Sequence, residues 1–400
     1  MLADKVKEPD FAINNGKPLF DHPLHVGTPN IGNKQAILSK IEDILDRRML
    51  SNGGPVVREF EQRIADYIGV KHCIAVTNGT TALEIAIRAL DMKGEVIVPS
   101  MTFIATAHAL QWQGITPVFC DIDENLHHID TQKIESLITP NTTGILAVNL
   151  WGRPCYVEKL EAIAEKYNLK LLFDSAHAFG SSYKGEMVGQ FGHAEIFSFH
   201  ATKFLNTFEG GAIATNNDEL ARIIRLMKNF GFNDRDQVDY LGINGKMNEV
   251  QAAMGLVSLD SIEHFIEHNK NNYLAYKHGL SDTPGLSLLK YDLEEKNNYQ
   301  YIIIEIDEKV FGLSRDRTAD VLHAENIDVR RYFFPGCHRM EPYKSYFPNA
   351  HLLLPVTENI LARVLAFPTG NAVTQNNITK ICQKVKMMHE SHEKLTEILK

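Results

Sequence analysis

The chain has 400 residues, 44% of them hydrophobic, and a formal net charge of −9. That is enough apolar material for a large core and about two domains, and the acidic balance argues against a general nucleic-acid binder. The five cysteines, at positions 73, 120, 155, 337 and 382, are odd in number and include no Cys-x-x-Cys pair, so neither a disulfide framework nor a metal site is expected. Reduced thiols in a cytoplasmic protein fit that usage. No apolar run approaches the ~20 residues needed to cross a bilayer, so no membrane association is expected. The first residues, Met1 to Glu8, are mixed in charge and lack the apolar core of a signal peptide.

Residues 1–30 read as an irregular N-terminal arm. A helix is predicted over 34–48, with Ile37, Ile41, Ile44 and Leu45 at helical spacing. Strand and helix then alternate. Strands are predicted at 73–76, 95–98, 117–120, 143–149, 170–173, 196–199 and 212–214, and helices at 80–90, 105–113, 157–167 and 218–229. Most of these strands are apolar throughout, as in a sheet covered by helices on both faces. The fold class is therefore α/β. Residues 31–270 form its large domain, closed by one long helix over 248–276. Residues 271–400 form a smaller α+β unit, with a strand at 301–306 and a helix at 318–325. The charged segment 374–399 reads as a helix with a solvated face.

Sheets of this kind bind ligands outside the C-terminal ends of their strands. Asp174 leaves such an end, after Leu171-Leu172-Phe173. Twenty-nine residues later, Lys203 closes Ser198-Phe199-His200-Ala201-Thr202-Lys203. Either residue alone is ordinary. Together they have the layout of a pyridoxal 5'-phosphate site, where a lysine amine forms the Schiff base and a carboxylate keeps the pyridine nitrogen protonated. Strand 73–76, Asn78-Gly79-Thr80 and the helix behind them make a third piece. A small polar loop at a helix N-terminus is a ready phosphate site.

Further motifs are Pro99-Ser100-Met101-Thr102-Phe103, Asp174-Ser175-Ala176-His177, Glu209-Gly210-Gly211, and Gly242-Ile243-Asn244-Gly245-Lys246-Met247 followed by Asn248-Glu249-Val250-Gln251-Ala252-Ala253. As a set, over about residues 25–390, they resemble the DegT/DnrJ/EryC1/StrS family of sugar aminotransferases. The resemblance implies the aspartate-aminotransferase type fold, a large domain with a mixed, mainly parallel sheet. It makes Lys203 and Asp174 the catalytic pair, with His177 on the phenolic-oxygen side of the cofactor. It places Phe103 on the ring face and Gly79, Thr80 and Ser198 at the phosphate. It implies that Asn244 reaches the phosphate of a neighbouring subunit, hence a homodimer. Asn78, Lys246 and Phe208 depart from the usual Ser, Arg and Gly.

The implied substrates are L-glutamate and a nucleotide-diphosphate keto sugar. Arg331, Tyr332 and His338, in a loop of cations and aromatics at 330–339, are the candidates to bind it, together with Lys246. The same loop also reads as a solvated basic turn. Ser51-Asn52-Gly53-Gly54-Pro55, Gly94-Glu95-Val96-Ile97, Ala105-Thr106-Ala107-His108 and Asp174-Ser175-Ala176-His177-Ala178-Phe179-Gly180 are most similar to the enzymes that aminate carbon 4 of dTDP-4-keto-6-deoxyglucose. A 3-keto-sugar aminotransferase, a GDP-perosamine synthase and a non-catalytic regulator on the same fold are the alternatives.

Overall fold

Asn33 opens the first long helix by accepting the N–H groups of Gln35 and Ala36. In the computed structural model, which describes residues 11–400, that helix is α1 (Lys34–Arg47). α2 (Pro55–Ile68) follows, begun by Pro55 and closed by Gly69 at φ 75°. Then come β1 (His72–Val76), α3 (Gly79–Ala89), β2 (Glu95–Pro99), α4 (Ile104–Gln111), β3 (Thr116–Cys120), β4 (Thr142–Val148), α5 (Val157–Lys166), β5 (Lys170–Asp174), β6 (Ala194–Ser198), β7 (Gly211–Thr215) and α6 (Asp218–Met227). α7 (Glu249–Asp260) and α8 (Ile262–Leu280) lead to β8 (Leu286–Leu288), β9 (Ile302–Ile306), α9 (Arg315–Ala324), β10 (Val364–Phe367), α10 (Gln375–Glu390) and α11 (His392–Ile398).

The seven strands β1 to β7 form one sheet in the order β1-β7-β6-β5-β4-β2-β3. β7 runs antiparallel to both its neighbours and the other pairings are parallel. The mixed, mainly parallel sheet is as expected. One face packs against α1, α2, α5 and α7 through Ile44, Phe60, Leu160 and Leu256. The other packs against α3, α4 and α6 through Leu83, Leu110 and Ile224. Burial on both faces is why these strands are apolar without alternation. A three-stranded antiparallel sheet, β8-β9-β10, builds the second unit with α9 and α10.

Four expectations need correction. The helix predicted over 248–276 is two helices, because Ser261 leaves helical geometry at φ −102°, ψ 3°. The segment 374–399 is helical but not merely solvated: Ile378, Ile381, Val385 and Met388 of α10 are buried against α8 and the second core. A helix not expected from the sequence covers 55–68, where α2 buries Val57, Phe60 and Ile64 at helical spacing. The N-terminal arm is also ordered by specific contacts. Residues 1–10 of it lie outside the described residues. Beyond them, Leu24 and His25 pair in parallel with Ile327 and Asp328, and Glu325 accepts the Ala12 and Leu19 N–H groups. The arm ends at Asn30, 3% exposed, whose side-chain amide donates to the Phe204 carbonyl at 3.0 Å and accepts the Asn371 N–H at 3.1 Å.

The Glu-Gly-Gly motif has a steric reason. β7 starts against the loop after β1, and a Cβ on Gly211 would lie 2.6 Å from the carbonyl carbon and oxygen of Asn78. Backbone cannot retreat as a side-chain tip can. Gly211→Ala is expected to destabilise the protein by about 1–3 kcal/mol, the usual cost of overpacking. Urea unfolding checks this, and an unchanged midpoint would show that the Asn78 loop yields.

Candidate active site

The C-terminal ends of β1, β2, β5 and β6 gather most of the predicted site residues. Asp174 is the last residue of β5 and Ser198 the last of β6. Parallel pairing sets Asp174 against Ile196. The turn after β6, closed by the Lys203 N–H on the His200 carbonyl at 2.8 Å, brings the lysine into the field of Asp174. Burial lowers the Lys203 amine to about 8, and the Asp174 charge opposes that shift. Burial raises the Asp174 carboxyl. The Thr106 hydroxyl, the Ala176 N–H and Lys203 act against it. Asp174 Oδ2 accepts from Thr106 Oγ1 at 2.8 Å and Oδ1 from the Ala176 N–H at 3.1 Å.

The phosphate candidates meet at the start of α3. Asn78 caps that helix, its Oδ1 accepting the Thr81 N–H at 2.8 Å. This is the function of the residue that replaces the usual Ser. The first N–H groups of the helix, at Gly79 and Thr80, lie outside its own ladder. A Cβ on Gly79 would stand 2.9 Å from the Ser198 Cβ, so the glycine keeps the cup between α3 and Ser198 open. Phe103 caps α4 with its ring exposed, edge-on to Phe333 at 6.3 Å.

His177 is buried among aromatics. Its ring lies 6.2 Å from Trp151, 5.8 Å from Phe333 and 4.6 Å from Tyr301. Burial first, and Lys203 second, hold its pKa well below the ordinary value, so it is neutral. Its Nδ1 is a buried ring nitrogen without a hydrogen-bond partner among the described residues. Beneath it, Asn149 Oδ1 accepts the Cys155 N–H, and its amide donates to Ser175 Oγ and Glu195. Burial raises Glu195 to about 7.

The substrate candidates divide. Arg331 and Tyr332 line a cavity of about 400 Å³ with Phe103, Arg330, Phe333 and Phe334. Arg331 is half-exposed, paired with Asp316 at 2.8 Å and set over the Phe334 ring. His338 is not available to a substrate. It is 2% exposed, with Nδ1 bonded to Ser100 Oγ at 2.6 Å and Nε2 to Glu358 Oε1 at 2.5 Å. It docks the 330–339 loop onto the loop after β2. Lys246 and Asn244 lie at the other edge of the sheet, where Lys246 bridges Val76 of β1 and Asn244 bridges Asn229. The Lys246 amine is held by Asn229 Oδ1 at 2.9 Å and lies over the Phe230 ring. Phe208 sits at φ 64°, a conformation natural to the Gly that the resemblance expects there. A larger cleft of about 1020 Å³, at the opposite end of the sheet beside Lys170 and His193 before β6 and Thr215 at the end of β7, carries none of these groups.

Several residues around the site carry no local signal of their place there. Trp151, at φ 62°, had no sequence signal. Tyr301 and Phe333 were read only as strand and loop. Asn30 lies in the arm, yet it bonds the backbone of the lysine loop. Its carbonyl also accepts from Asn206 Nδ2 at 2.9 Å.

A buried lysine and carboxylate, an open helix-terminal cup, an unpaired histidine nitrogen and an exposed ring fit the amine, nitrogen, phosphate, phenolic oxygen and face of pyridoxal phosphate. On this sheet they define a pyridoxal-phosphate-dependent aminotransferase. Residues 32–386 match the DegT/DnrJ/EryC1/StrS aminotransferase family, and the chain belongs to it. It is 39% identical over 326 residues to a dTDP-4-amino-4,6-dideoxy-D-glucose transaminase of Shigella dysenteriae, covering 81% of this chain and 88% of that one. It is 35% identical to a GDP-perosamine synthase of Caulobacter vibrioides, over 85% and 91% of the two chains. The structure of DesI in the presence of its TDP-sugar product superposes with a TM-score of 0.93 at 44% identity, over 97% of this chain and 98% of the other.

The lowered Lys203 amine gives a direct test. Cofactor-free protein is expected to capture pyridoxal phosphate at a rate that rises with pH around a midpoint near 8. In Asp174→Asn the midpoint is expected to fall, because the carboxylate charge holds the proton on the amine. Stopped-flow absorbance measures both. A midpoint at the ordinary lysine value would show a solvated amine.

Proposed function

We propose that the enzyme transfers the amino group of L-glutamate to carbon 4 of dTDP-4-keto-6-deoxy-D-glucose, giving dTDP-4-amino-4,6-dideoxy-D-glucose. The observation that carries this reading is the cation- and aromatic-lined cavity beside Phe103, in a chain similar along most of its length to transaminases of that name. Guanidinium groups suit a diphosphate, and Tyr332, Phe333 and Phe334 offer flat apolar faces for a sugar and base.

When bound, pyridoxal phosphate supplies an electron sink for both half-reactions. The residues of the chain do the rest. The Lys203 amine, lowered by burial, would hold the cofactor and could give and take a proton as acid and base near neutral pH. Asp174 would stand at the ring nitrogen and, as the carboxylate, keep it protonated. Neutral His177 offers Nδ1 as a hydrogen-bonding atom. Gly79, Thr80 and Ser198 would orient the phosphate, and Phe103 would cover the ring. Trp151, Tyr301 and Phe333 exclude water behind His177.

The reading includes a homodimer. Its support is the placing of Asn244 and Lys246 at the sheet edge remote from the 330–339 loop, next to exposed Phe230, Phe232, Leu241 and Ile243. It also places the protein in the cytoplasm, in keeping with five free cysteines. No helix among the described residues is long and apolar enough to cross a membrane. The resemblance to GDP-perosamine synthases favours a second reading, a GDP-linked 4-keto sugar.

Arg331→Ala is expected to raise KM for the sugar about tenfold and leave the glutamate half-reaction nearly unchanged, since a hydrogen bond to a charged group contributes about 1.5–3 kcal/mol. Cofactor absorbance follows each half separately. Equal loss in both halves would make the loop structural. Mass spectrometry of products from a panel of dTDP- and GDP-linked 3-keto and 4-keto sugars decides the acceptor. Preference for a 3-keto or GDP-linked sugar would overturn the reading. Light scattering is expected to give a dimer, and an active monomer would exclude a shared site.

A further inference from the structure

Asp174 is the end of a buried polar chain that runs through two threonine hydroxyls. Thr106 and Thr102 are 0% and 2% exposed. Thr106 Oγ1 lies 2.8 Å from Asp174 Oδ2 and 2.8 Å from Thr102 Oγ1. A hydroxyl has one proton to donate. While Asp174 is ionised it can only accept, so the Thr106 proton must point at the carboxylate. Thr106 then has only lone pairs for Thr102, and the Thr102 proton must point at Thr106. The direction of the chain is forced by the charge at its end, and each bond strengthens the next.

The two threonines sit on the element that also carries the ring-facing side chain. Thr102 precedes Phe103, and Thr106 lies in the first turn of α4, which Phe103 caps. The Thr102 carbonyl accepts from Cys337 Sγ at 3.5 Å, in the loop that lines the proposed sugar cavity. An apolar side chain would fill the space of Thr106 equally well, so burial alone does not call for the hydroxyl.

We propose that Thr106 is a positioning residue for the aminotransferase reaction, holding Asp174 ionised and aimed at the cofactor nitrogen, with Thr102 fixing the direction of its proton. The inference rests on reading Asp174 as the partner of that nitrogen. Removing the hydroxyl leaves a buried carboxylate with one donor fewer. Its proton affinity rises, and the ionised fraction at a given pH falls. Lys203, from the loop after β6, is the charged group set against Asp174. His177, from the loop after β5, is held neutral by burial. Neither replaces the lost bond.

The test uses the holoenzyme carrying Thr106→Val, Thr106→Ser, Thr102→Val or Asp174→Asn. Four quantities are read: melting temperature, cofactor Kd, the pH titration of the bound chromophore without amino donor, and the rate of the glutamate half-reaction. Thr106→Val is expected to fold and to retain the cofactor. Its half-reaction is expected to slow about tenfold at neutral pH, as for loss of a charge-assisted hydrogen bond. The acid limb of its rate profile and its chromophore titration are expected to move to higher pH. Thr106→Ser is expected to restore both, and Thr102→Val to show a smaller shift in the same direction. Coincident pH profiles for Thr106→Val and the unmutated enzyme overturn the proposal, as does a serine variant no better than the valine one. If Thr106→Val fails to fold, an unshifted Thr102→Val overturns it instead. An impaired Asp174→Asn beside a normal Thr106→Val removes the relay alone. A fully active Asp174→Asn removes the reading of Asp174 and the relay with it.

Discussion

A carboxylate and a lysine amine buried at the ends of two adjacent strands is the constraint from which the rest of the structure follows. Neither charge is stable alone in such a place, because burial disfavours the ionised form of each. Asp174 and Lys203 oppose that penalty for each other, and Thr106 and the Ala176 N–H oppose it further on the acid. The arrangement needs β5 and β6 in register, and it needs the lysine loop held down from outside. Asn30 and Asn206 supply that hold with reciprocal side-chain to backbone bonds. The residual cost has a use. An amine lowered to about 8 can exchange protons near neutral pH.

Below this pair a set of buried polar groups satisfies one another. Asn149, Ser175 and Glu195 are bonded to one another below the site. His338, which reads as a ligand in the sequence, has both ring nitrogens engaged with Ser100 and Glu358 and ties the 330–339 loop to the loop after β2. His177 stands in contrast, buried with Nδ1 unpartnered. The difference between two histidines in polar loops is a matter of what each one faces.

The architecture was legible because burial on both sheet faces leaves a strong mark: short, wholly apolar runs separated by amphipathic helices. Their boundaries held to within a residue or two, as at β1, β2 and α1. Asp174, Lys203 and the start of α3 were legible because each lies at a strand end or in the short loop that leaves one, where this sheet type collects its ligands. The break at Ser261 was not, since apolar spacing runs across it in both helices. Nor was the buried side of α10, whose charges conceal the stripe of Ile378, Ile381, Val385 and Met388.

The sequence by itself determined the fold class, the strand ends that carry the chemistry and the residue types set there, because periodicity and local turn chemistry act over a few residues. Only the tertiary structure decided which of those residues share a site. It set Arg331 and Tyr332 beside Phe103, closed His338 into the interior, placed Lys246 and Asn244 at the far edge of the sheet, and brought Thr106 to Asp174 and Asn30 to the loop of Lys203. Such neighbours are chosen by strand order and by packing between units, which join residues up to hundreds of positions apart, and no local pattern in the chain records that choice.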